Sequence, residues 1–302
     1  MLQHDVITSE SELSALGSKK KSKTKRVFGI IGESLLLVLF TLVLSISGQI
    51  TYDYTRYSTF FVNGMSMYPT LNNTAYAIGA DGTVHTGGAN DSLGVLYQWK
   101  NFTNSSVTYY CDYGMFDGKG DYLKNLKRFD IVVTYFKDDM KLNSDGHYVV
   151  KSTLDNGQVP DLKIKRLIAL PGETFRFDAS GDLYLLNEST SKFELQSQSF
   201  LDPGIAINPD WKKQTVSQGA GKAWTSELGM TLGKDEYFVC GDNRLNSNSN
   251  DSRALGAIPG DAIQGRAVTV IGRCSFRYYS ETKSEYHALW NSYKMPWQLE
   301  WL

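Results

Sequence analysis

The chain has 302 residues, enough for one large domain or two small ones. Its formal net charge of −1 creates no overall basic field, so charge does not suggest a nucleic-acid partner. The three cysteines show no CxxC spacing and the four histidines do not cluster, which argues against a zinc site. An odd number of cysteines also argues against a disulfide framework, with one bridge and a spare thiol as the alternative.

Residues 1–26 are predicted to be a polar and basic tail. Positions 1–18 mix charges without periodicity, and we expect them to be disordered. A run of six cations then directly precedes an apolar segment, so it indicates membrane topology rather than a nucleic-acid patch. These cations are Lys19, Lys20, Lys21, Lys23, Lys25 and Arg26.

Residues 27–50 are predicted to be a single transmembrane anchor. As a helix they would be about 36 Å long, which exceeds a hydrocarbon core of about 30 Å. The positive-inside rule keeps the amino terminus cytoplasmic and exports everything after residue 50. A cleavable signal peptide is the competing interpretation, since Ser45 and Ser47 have an A-x-A-like spacing. The long tail and the length of the apolar run favour an uncleaved anchor.

A serine-containing loop follows the anchor closely. Ser66 stands between Met65 and Met67 in the segment 63–71, where Pro69 restricts the backbone. Most serines are solvated hydroxyls or helix caps, so Ser66 needs a nearby base before it can be a nucleophile. About sixteen residues separate it from the anchor, at most about 50 Å of extended chain, which predicts a position near the outer membrane surface.

Residues 51–272 are predicted to form a mainly β domain with an antiparallel sheet. Within it, positions 79–121 read as an insertion rich in turn signals, either loop-dominated or a small β element. Short β-branched and aromatic runs separated by Gly, Pro, Asn and Asp predict the other strands. These runs are 128–136, 147–151, 163–169, 174–177, 183–186, 237–240 and 267–271.

The apolar run 162–170 contains three cations. Strand alternation places Lys163 and Lys165 on one face and Arg166 on the other. One interpretation is an edge strand whose lysines face water and discourage aggregation. The other buries one lysine, since desolvation lowers the lysine pKa and yields a neutral amine that can act as a base.

The segment 241–253 is dense in Asp, Asn, Ser and Arg. Such a composition is typical of a surface turn system, but it is also compatible with an ion-paired scaffold that holds a base in place. The residues alone leave both interpretations open.

Four segments together resemble the ordered boxes of bacterial type I signal peptidases, in a Gram-positive-like form. They are the serine loop, RFDIVV at 128–133, KRLIALPGE at 165–173 and GDNR…DSR at 241–253, all behind an amino-terminal anchor. The resemblance covers about residues 19–71 and 128–272, and the order of the segments makes it specific.

The resemblance implies roles for individual residues. Ser66 would be the nucleophile and Lys165 the general base, with Lys163 as the solvated alternative. No metal or cofactor is implied. The remaining matched positions are supporting residues, in which Met67 and Pro69 shape the serine loop and Met67 lines the substrate cleft. The ion-paired scaffold would consist of Arg166, Asp242, Asp251 and Arg253.

The sequence departs from the family pattern in several places. Gly64 stands where some members carry a hydroxyl that completes the oxyanion hole, so the hole would rest on the Ser66 backbone N–H and groups near Gly64. Phe129 and Ala169 occupy positions where glycine is usual. Two extra residues separate GDNR from DSR, so either Ser247 or Ser249 would bond the lysine, and the spacing S-x-D-S-R slightly favours Ser249.

The resemblance implies a single-pass serine endopeptidase in a bacterial cytoplasmic membrane, with its catalytic domain outside. It would remove signal peptides from exported preproteins after small-x-small sequences, in contact with the lipid bilayer and without nucleic acid. A dedicated or non-catalytic factor in pilus assembly is the alternative, although such a factor would not need both Ser66 and Lys165. A self-cleaving Ser-Lys repressor is the other rival, and it should carry a DNA-binding helix-turn-helix instead of an anchor.

The aromatic-rich tail 273–302 allows two interpretations. It packs on the β domain, or it contacts the membrane interface, where Trp and Tyr are well accommodated. Its aromatic residues include Tyr278, Tyr279, Trp290, Trp297 and Trp301.

Overall fold

The structure is a computed structural model that divides the chain into two compact units, Met1–Thr55 and Arg56–Leu302. The residues it describes are 7–62, 64–79, 82–86, 108–119, 123–157, 159–201, 212–218, 221–244, 250–280, 283–289, 293, 299 and 302.

The described residues of the amino-terminal unit form one helix, α1 (Ile7–Arg56), whose last residue, Arg56, is the first of the second unit. Its section Val27–Tyr52 has a mean hydropathy of 2.5 and no buried residues, and its 26 residues are long enough to cross a membrane. The expected disorder of positions 7–18 is wrong, because α1 already begins at Ile7. The apolar segment already forms a helix, so the unfavourable nucleation step is not repeated when the helix extends toward the amino terminus. The Leu, Ala, Glu and Lys residues of that extension have high helix propensity.

The second unit is built from sixteen strands, two short α-helices and several 3-10 turns among the described residues. The strands are β1 (Tyr57–Phe61), β2 (Tyr76–Ile78), β3 (Val84–Thr86), β4 (Thr108–Asp117), β5 (Ile131–Thr134), β6 (Met140–Leu142), β7 (Tyr148–Val150), β8 (Lys163–Ala169), β9 (Thr174–Phe177), β10 (Leu183–Asn187), β11 (Lys192–Gln196), β12 (Met230–Thr231), β13 (Glu236–Cys240), β14 (Ile258–Pro259), β15 (Ile263–Ser280) and β16 (Lys283–Ala288). The helices are α2 (Lys213–Gln218) and α3 (Ser252–Leu255).

Ten of these strands form one antiparallel sheet in the order β14-β13-β8-β5-β15-β4-β2-β3, while β1 pairs with β4 and β16 pairs with β15. The 18-residue strand β15 is the spine of this sheet, since it pairs with β5 near its start and with β4 over most of its length. A separate four-stranded sheet has the order β11-β10-β9-β12, and β6 pairs with β7. The predicted mainly β, antiparallel fold class is therefore confirmed.

The strand predictions succeed where the local pattern is strong. Strands β8 and β9 have the predicted bounds, whereas the run 128–136 shortens to β5. The strand starts late because Phe129, with a φ of 71°, lies in a turn that the Asp130 N–H closes on the Lys127 carbonyl. Strand β15 continues across position 272, so the sheet extends into the segment read as a tail.

The predicted insertion contains two strands of the main sheet, β3 and β4. Its ten-residue strand β4 lies between β15 and β2, and buried and half-buried residues alternate along most of it. Of the two interpretations of this segment, the structure supports the β element rather than the loop-dominated one. Tyrosines stand at both buried and half-buried positions of β4, such as Tyr109 and Tyr110, so its hydropathy pattern does not show the alternation.

Candidate active site

Ser66 lies in a turn-rich loop that follows β1 and is fastened to β4. Asn72 is fully buried at the end of this loop, where its side-chain amide donates to the backbone oxygens of Val62 and Gly64 at 2.7 and 2.8 Å. The side-chain carbonyl of Asn72 accepts from the backbone N–H of Asp112 at 2.8 Å. In return, the Asp112 carboxylate accepts from the backbone N–H of Asn72 at 2.6 Å. The predicted insertion thus contributes, through Asp112 of β4, to holding the serine loop.

Lys165 faces Ser66 from strand β8. Its ammonium nitrogen Nζ donates to Ser66 Oγ at 2.9 Å and to the Ile164 carbonyl at 2.8 Å. Strand β8 lies between β13 and β5 in the main sheet, and Lys165 is only 3% exposed. The interpretation of this segment as an edge strand is therefore wrong, because strands that are distant in sequence pair with both of its sides.

Burial changes the acidity of Lys165. Desolvation is the largest cause and lowers its pKa to about 8, while the negative charge of Asp251 partly opposes this shift. The positive charges of Lys163 and Arg253 lower the pKa further. A substantial fraction of Lys165 is therefore a neutral amine at mildly alkaline pH, whereas an ordinary lysine stays charged.

Lys163 lies in a different environment. Its side chain is 31% exposed and donates to the Asp161 carboxylate at 2.8 Å. Asp161 is itself largely exposed, so this pair is in contact with solvent. The two lysines that share a strand face differ in burial because only Lys165 lies deep in the sheet.

A buried ion pair connects β8 to the serine loop. Arg166 donates from Nε and Nη2 to the two carboxylate oxygens of Asp242 at 2.7 and 2.6 Å. Thr70 Oγ1 donates to Asp242 at 2.6 Å and accepts from Arg166 at 3.2 Å. The backbone N–H of Asn243 donates to the Ser66 carbonyl at 3.0 Å. The segment 241–244 is therefore a scaffold rather than a surface turn.

A second buried ion pair stabilises the end of this segment. Arg253 donates from Nε and Nη2 to Asp251 at 2.8 and 2.7 Å, and both side chains are fully buried. Asp251 also caps α3 by accepting from the Arg253 N–H, and it accepts from the Gly241 N–H at 2.8 Å. Asp251 therefore both holds the backbone at Gly241 and raises the pKa of Lys165 against the effect of burial.

The remaining predicted residues take supporting positions. Gly64 has a φ of 101°, a conformation that favours glycine. Met67 is fully buried and packs with Val62 in one core cluster, and its expected role in lining the substrate cleft stays a prediction. Pro69 is also buried. Ser247 and Ser249 lie outside the described residues.

Phe129 shows why glycine is usual at its position. Its φ of 71° is left-handed, and bulky residues rarely adopt that conformation. Both backbone polar groups of Phe129 are hydrogen-bonded. Its carbonyl accepts from the Arg166 guanidinium at 2.7 Å, and its N–H donates to the Leu167 carbonyl at 2.9 Å. Its ring packs against Phe200 with 5.1 Å between centroids, and this contact helps to offset the strain.

Sequence reasoning missed several residues of this network. Thr70, Asn72 and Asn243 carry no pattern that separates them from ordinary loop residues. Arg244 belongs to a quoted segment, yet it was given no role. It is fully buried and donates to the Gly241 carbonyl, Thr215 and Gln198 at 2.8, 3.1 and 3.3 Å, and burial lowers its pKa.

The family profile described as signal peptidase, peptidase S26, matches residues 31–272 of the chain. The chain belongs to this family. The recognition made from the four segments is therefore confirmed, and the protein is a serine peptidase of the hydrolase class. Its amino-terminal apolar helix is compatible with membrane anchoring.

The chain was also compared with curated proteins and with solved structures. No curated protein matches the chain significantly, whereas twenty chains of solved structures do. One of them is a signal peptidase I from Enterococcus faecalis V583, with 26% identity and a TM-score of 0.29. The match covers 47% of the present chain and 95% of the Enterococcus chain.

Proposed function

We propose that this signal peptidase family member removes signal peptides from exported preproteins after small-x-small sequences, with Ser66 as nucleophile and Lys165 as general base. The observation that carries the proposal is the 2.9 Å contact between the Ser66 hydroxyl and a buried lysine amine. A serine becomes a competent nucleophile when an adjacent base accepts its proton.

The reaction would begin with neutral Lys165. Its amine accepts the Ser66 proton while Oγ attacks the carbonyl carbon of the scissile peptide bond. The resulting ammonium then donates that proton to the leaving amine as the peptide bond breaks, which gives an acyl-enzyme. A water molecule, deprotonated by the same amine, hydrolyses the ester and regenerates Ser66.

The oxyanion would be stabilised mainly by backbone. Within the described ranges, the Ser66 backbone N–H has no hydrogen-bond acceptor, so it is available to a negatively charged oxygen. Gly64 supplies no side chain, and its positive φ shapes the loop at that point. Loss of one oxyanion donor typically costs about 10²–10³ in rate, which makes the fixed position of this loop important.

The scaffold supports the proposed roles of the other residues. The Arg166–Asp242 pair joins β8 to the serine loop through Thr70, and the Asp251–Arg253 pair holds the backbone at Gly241 next to Asp242. Ser247 or Ser249 is proposed as a further hydrogen-bond partner of Lys165. Charge-assisted, bidentate pairs of this kind fix geometry more strictly than neutral hydrogen bonds do.

The proposed location follows from α1. Residues 27–50 would cross the bacterial cytoplasmic membrane with the basic tail 1–26 inside, and the domain 51–272 with its tail 273–302 would lie outside. Exported preproteins present their signal peptides at that outer surface. The substrate would bind in an extended form, by adding a strand to the edge of the cleft.

The proposal is tested by cleavage of a membrane-inserted preprotein bearing an Ala-x-Ala site. The full chain is compared with Ser66→Ala, Lys165→Ala and Lys163→Ala, and the cleaved bond is located by mass spectrometry. We expect a loss of at least about 10³-fold for the first two variants, and less than about fivefold for Lys163→Ala.

The Lys163 variant is the matched control, because both lysines lie on the same face of β8. Full activity of Ser66→Ala would end the proposal. An inactive Lys163→Ala with an active Lys165→Ala would assign the base to the other lysine.

A further inference from the structure

Two cysteines that the proposed reaction does not use face each other in the main sheet. Cys111 of β4 and Cys274 of β15 are directly opposite in the strand register, and their Sγ atoms are 3.3 Å apart. Both are buried, with exposed fractions of 1% and 0%. The third cysteine, Cys240, belongs to a different core cluster, around Phe238.

This arrangement has the geometry that a disulfide needs. Residues directly opposite in an antiparallel pair have Cα atoms about 4.5–5.5 Å apart, and disulfides form at Cα separations of about 4.4–6.8 Å. The two sulfur atoms must approach by little more than 1 Å to reach the bonded distance of about 2.05 Å. A change of side-chain torsion can supply that distance without moving either strand.

We propose that Cys111 and Cys274 are a disulfide site, oxidised by an exogenous disulfide as the chain folds. The oxidant is a small disulfide such as oxidised glutathione or the active-site disulfide of an oxidoreductase. One cysteine thiolate attacks that disulfide and releases its first sulfur as a thiol. The other cysteine thiolate then attacks the mixed disulfide and releases the second, so two protons and two electrons leave the pair.

The bond forms while β4 and β15 are pairing. In the finished fold, a hydrogen bond with Cys274 and burial raise the pKa of the Cys111 thiol, and only a thiolate attacks a disulfide. The completed sheet also excludes the oxidant from both sulfur atoms. The pair is therefore inert once folded, in either redox state, and its state records the conditions under which the chain folded.

The position of the pair gives the bond a consequence. Cys111 and Cys274 pack in the same core cluster as Met65 and Tyr68, which stand on either side of Ser66 in the serine loop. A covalent link between β4 and β15 therefore braces the wall against which this loop packs. It also closes a very long loop of chain, which restricts the unfolded state strongly.

The test uses the full chain synthesised in a cell-free reaction with lipid nanodiscs. One reaction contains oxidised and reduced glutathione, and the other contains a phosphine reductant. Both are quenched with acid, denatured and alkylated with N-ethylmaleimide, and the peptides are mapped by mass spectrometry. We expect the oxidised sample to yield a Cys111–Cys274 linked peptide with Cys240 alkylated, and the reduced sample to show all three cysteines alkylated.

Stability provides the second measurement. The midpoint of thermal unfolding should be on the order of 5–15 °C higher in the oxidised than in the reduced sample. Cys240→Ala is the matched control, since it removes another buried cysteine and should keep this difference. Cys111→Ala and Cys274→Ala should each abolish it.

Two results would overturn the proposal. One is complete alkylation of all three cysteines in the oxidised sample. The other is bridging of Cys240 as often as of the other two, because that would reveal random pairing. Neither result bears on the proposed peptidase reaction, since the cysteines lie outside it and cleavage by the reduced enzyme is measured separately.

Discussion

At the scale of single residues, Lys165 shows how position determines chemistry. The same side chain two residues earlier, Lys163, is half-buried and paired with an exposed carboxylate, whereas Lys165 loses its solvent and lies against Ser66. A desolvated ammonium is less stable than a desolvated amine, so its pKa falls to about 8. Burial thus prepares the residue that we propose as the base.

The cleavage rate should follow the neutral form of Lys165. With a lowered pKa of about 8, the amine is mostly protonated at pH 6 and mostly neutral at pH 9.5. We expect the initial rate at subsaturating substrate to rise about tenfold per pH unit below pH 7 and to level off above about pH 9. Rates measured at constant ionic strength from pH 5.5 to 10 test this, and a flat profile over that range would contradict it.

Phe129 allows a separate test of backbone strain. Phe129→Gly and Phe129→Ala both remove the ring contact with Phe200, but only glycine accepts the φ of 71° without cost. We therefore expect the glycine variant to exceed the alanine variant in unfolding free energy by about 1 kcal/mol. Chemical denaturation of the two variants measures the difference, and an equal or reversed order would show that this strain is absent.

At the scale of elements, β8 connects the serine loop to the segment 241–244. Lys165 and Arg166 are adjacent and therefore leave the strand on opposite faces. Lys165 contacts the serine loop directly, while Arg166 reaches it through Asp242 and Thr70. The serine loop is also hydrogen-bonded to β4 through Asn72. Strand β8, strand β4 and the segment 241–244, which are distant in sequence, therefore fix the position of the Ser66 hydroxyl.

Loss of the Asn72 side chain should therefore affect both stability and activity. Asn72→Gly keeps the positive φ of 62° but leaves the carbonyls of Val62 and Gly64 and the N–H of Asp112 without this partner. We expect a loss of about 2–4 kcal/mol in unfolding free energy and a fall of more than about tenfold in cleavage rate.

Ser191→Gly is the matched control for Asn72→Gly. Ser191 also has a positive φ, of 53°, but it is exposed on the hairpin between β10 and β11. This variant should unfold at or slightly above the wild-type midpoint and cleave at the wild-type rate. If the two variants behaved alike, the buried hydrogen bonds of Asn72 would not be what holds the loop.

At the scale of the whole molecule, the chain consists of an apolar helix and a β unit with its own core. The β unit begins at Arg56, which pairs with the buried Asp117 at 2.6 Å, and its core clusters consist of its own residues. The apolar side chains of Val27–Tyr52 are exposed and need a lipid or detergent environment.

A chain that starts at Arg56 should therefore fold without the helix. We expect its unfolding midpoint within about 3 °C of the full chain and its recovery in the supernatant after ultracentrifugation. Cleavage of a short peptide with an Ala-x-Ala site should persist, whereas cleavage of a membrane-inserted preprotein should fall at least about tenfold, because the anchor raises the local concentration. Failure of this truncated chain to unfold cooperatively would contradict the division into two units.

The sequence by itself determined the features that depend on local pattern: the apolar helix, the strands β8 and β9, and the segments by which the family is recognised. Its prediction that Lys165, rather than Lys163, serves the nucleophile came from the resemblance, and that role is still a prediction. Periodicity placed both lysines on one face and could not separate them.

The tertiary structure alone decided which groups lose water and which residues meet. Lys165 lies beside Val132 of β5, and its side chain contacts Ser66 of the serine loop, so its burial depends on segments distant in sequence. The opposition of Cys111 and Cys274 depends on the register of β4 against β15. The role of Asn72 likewise appears only when β4 approaches the serine loop. Desolvation and register arise from contacts between distant segments, and no local pattern of side chains encodes them.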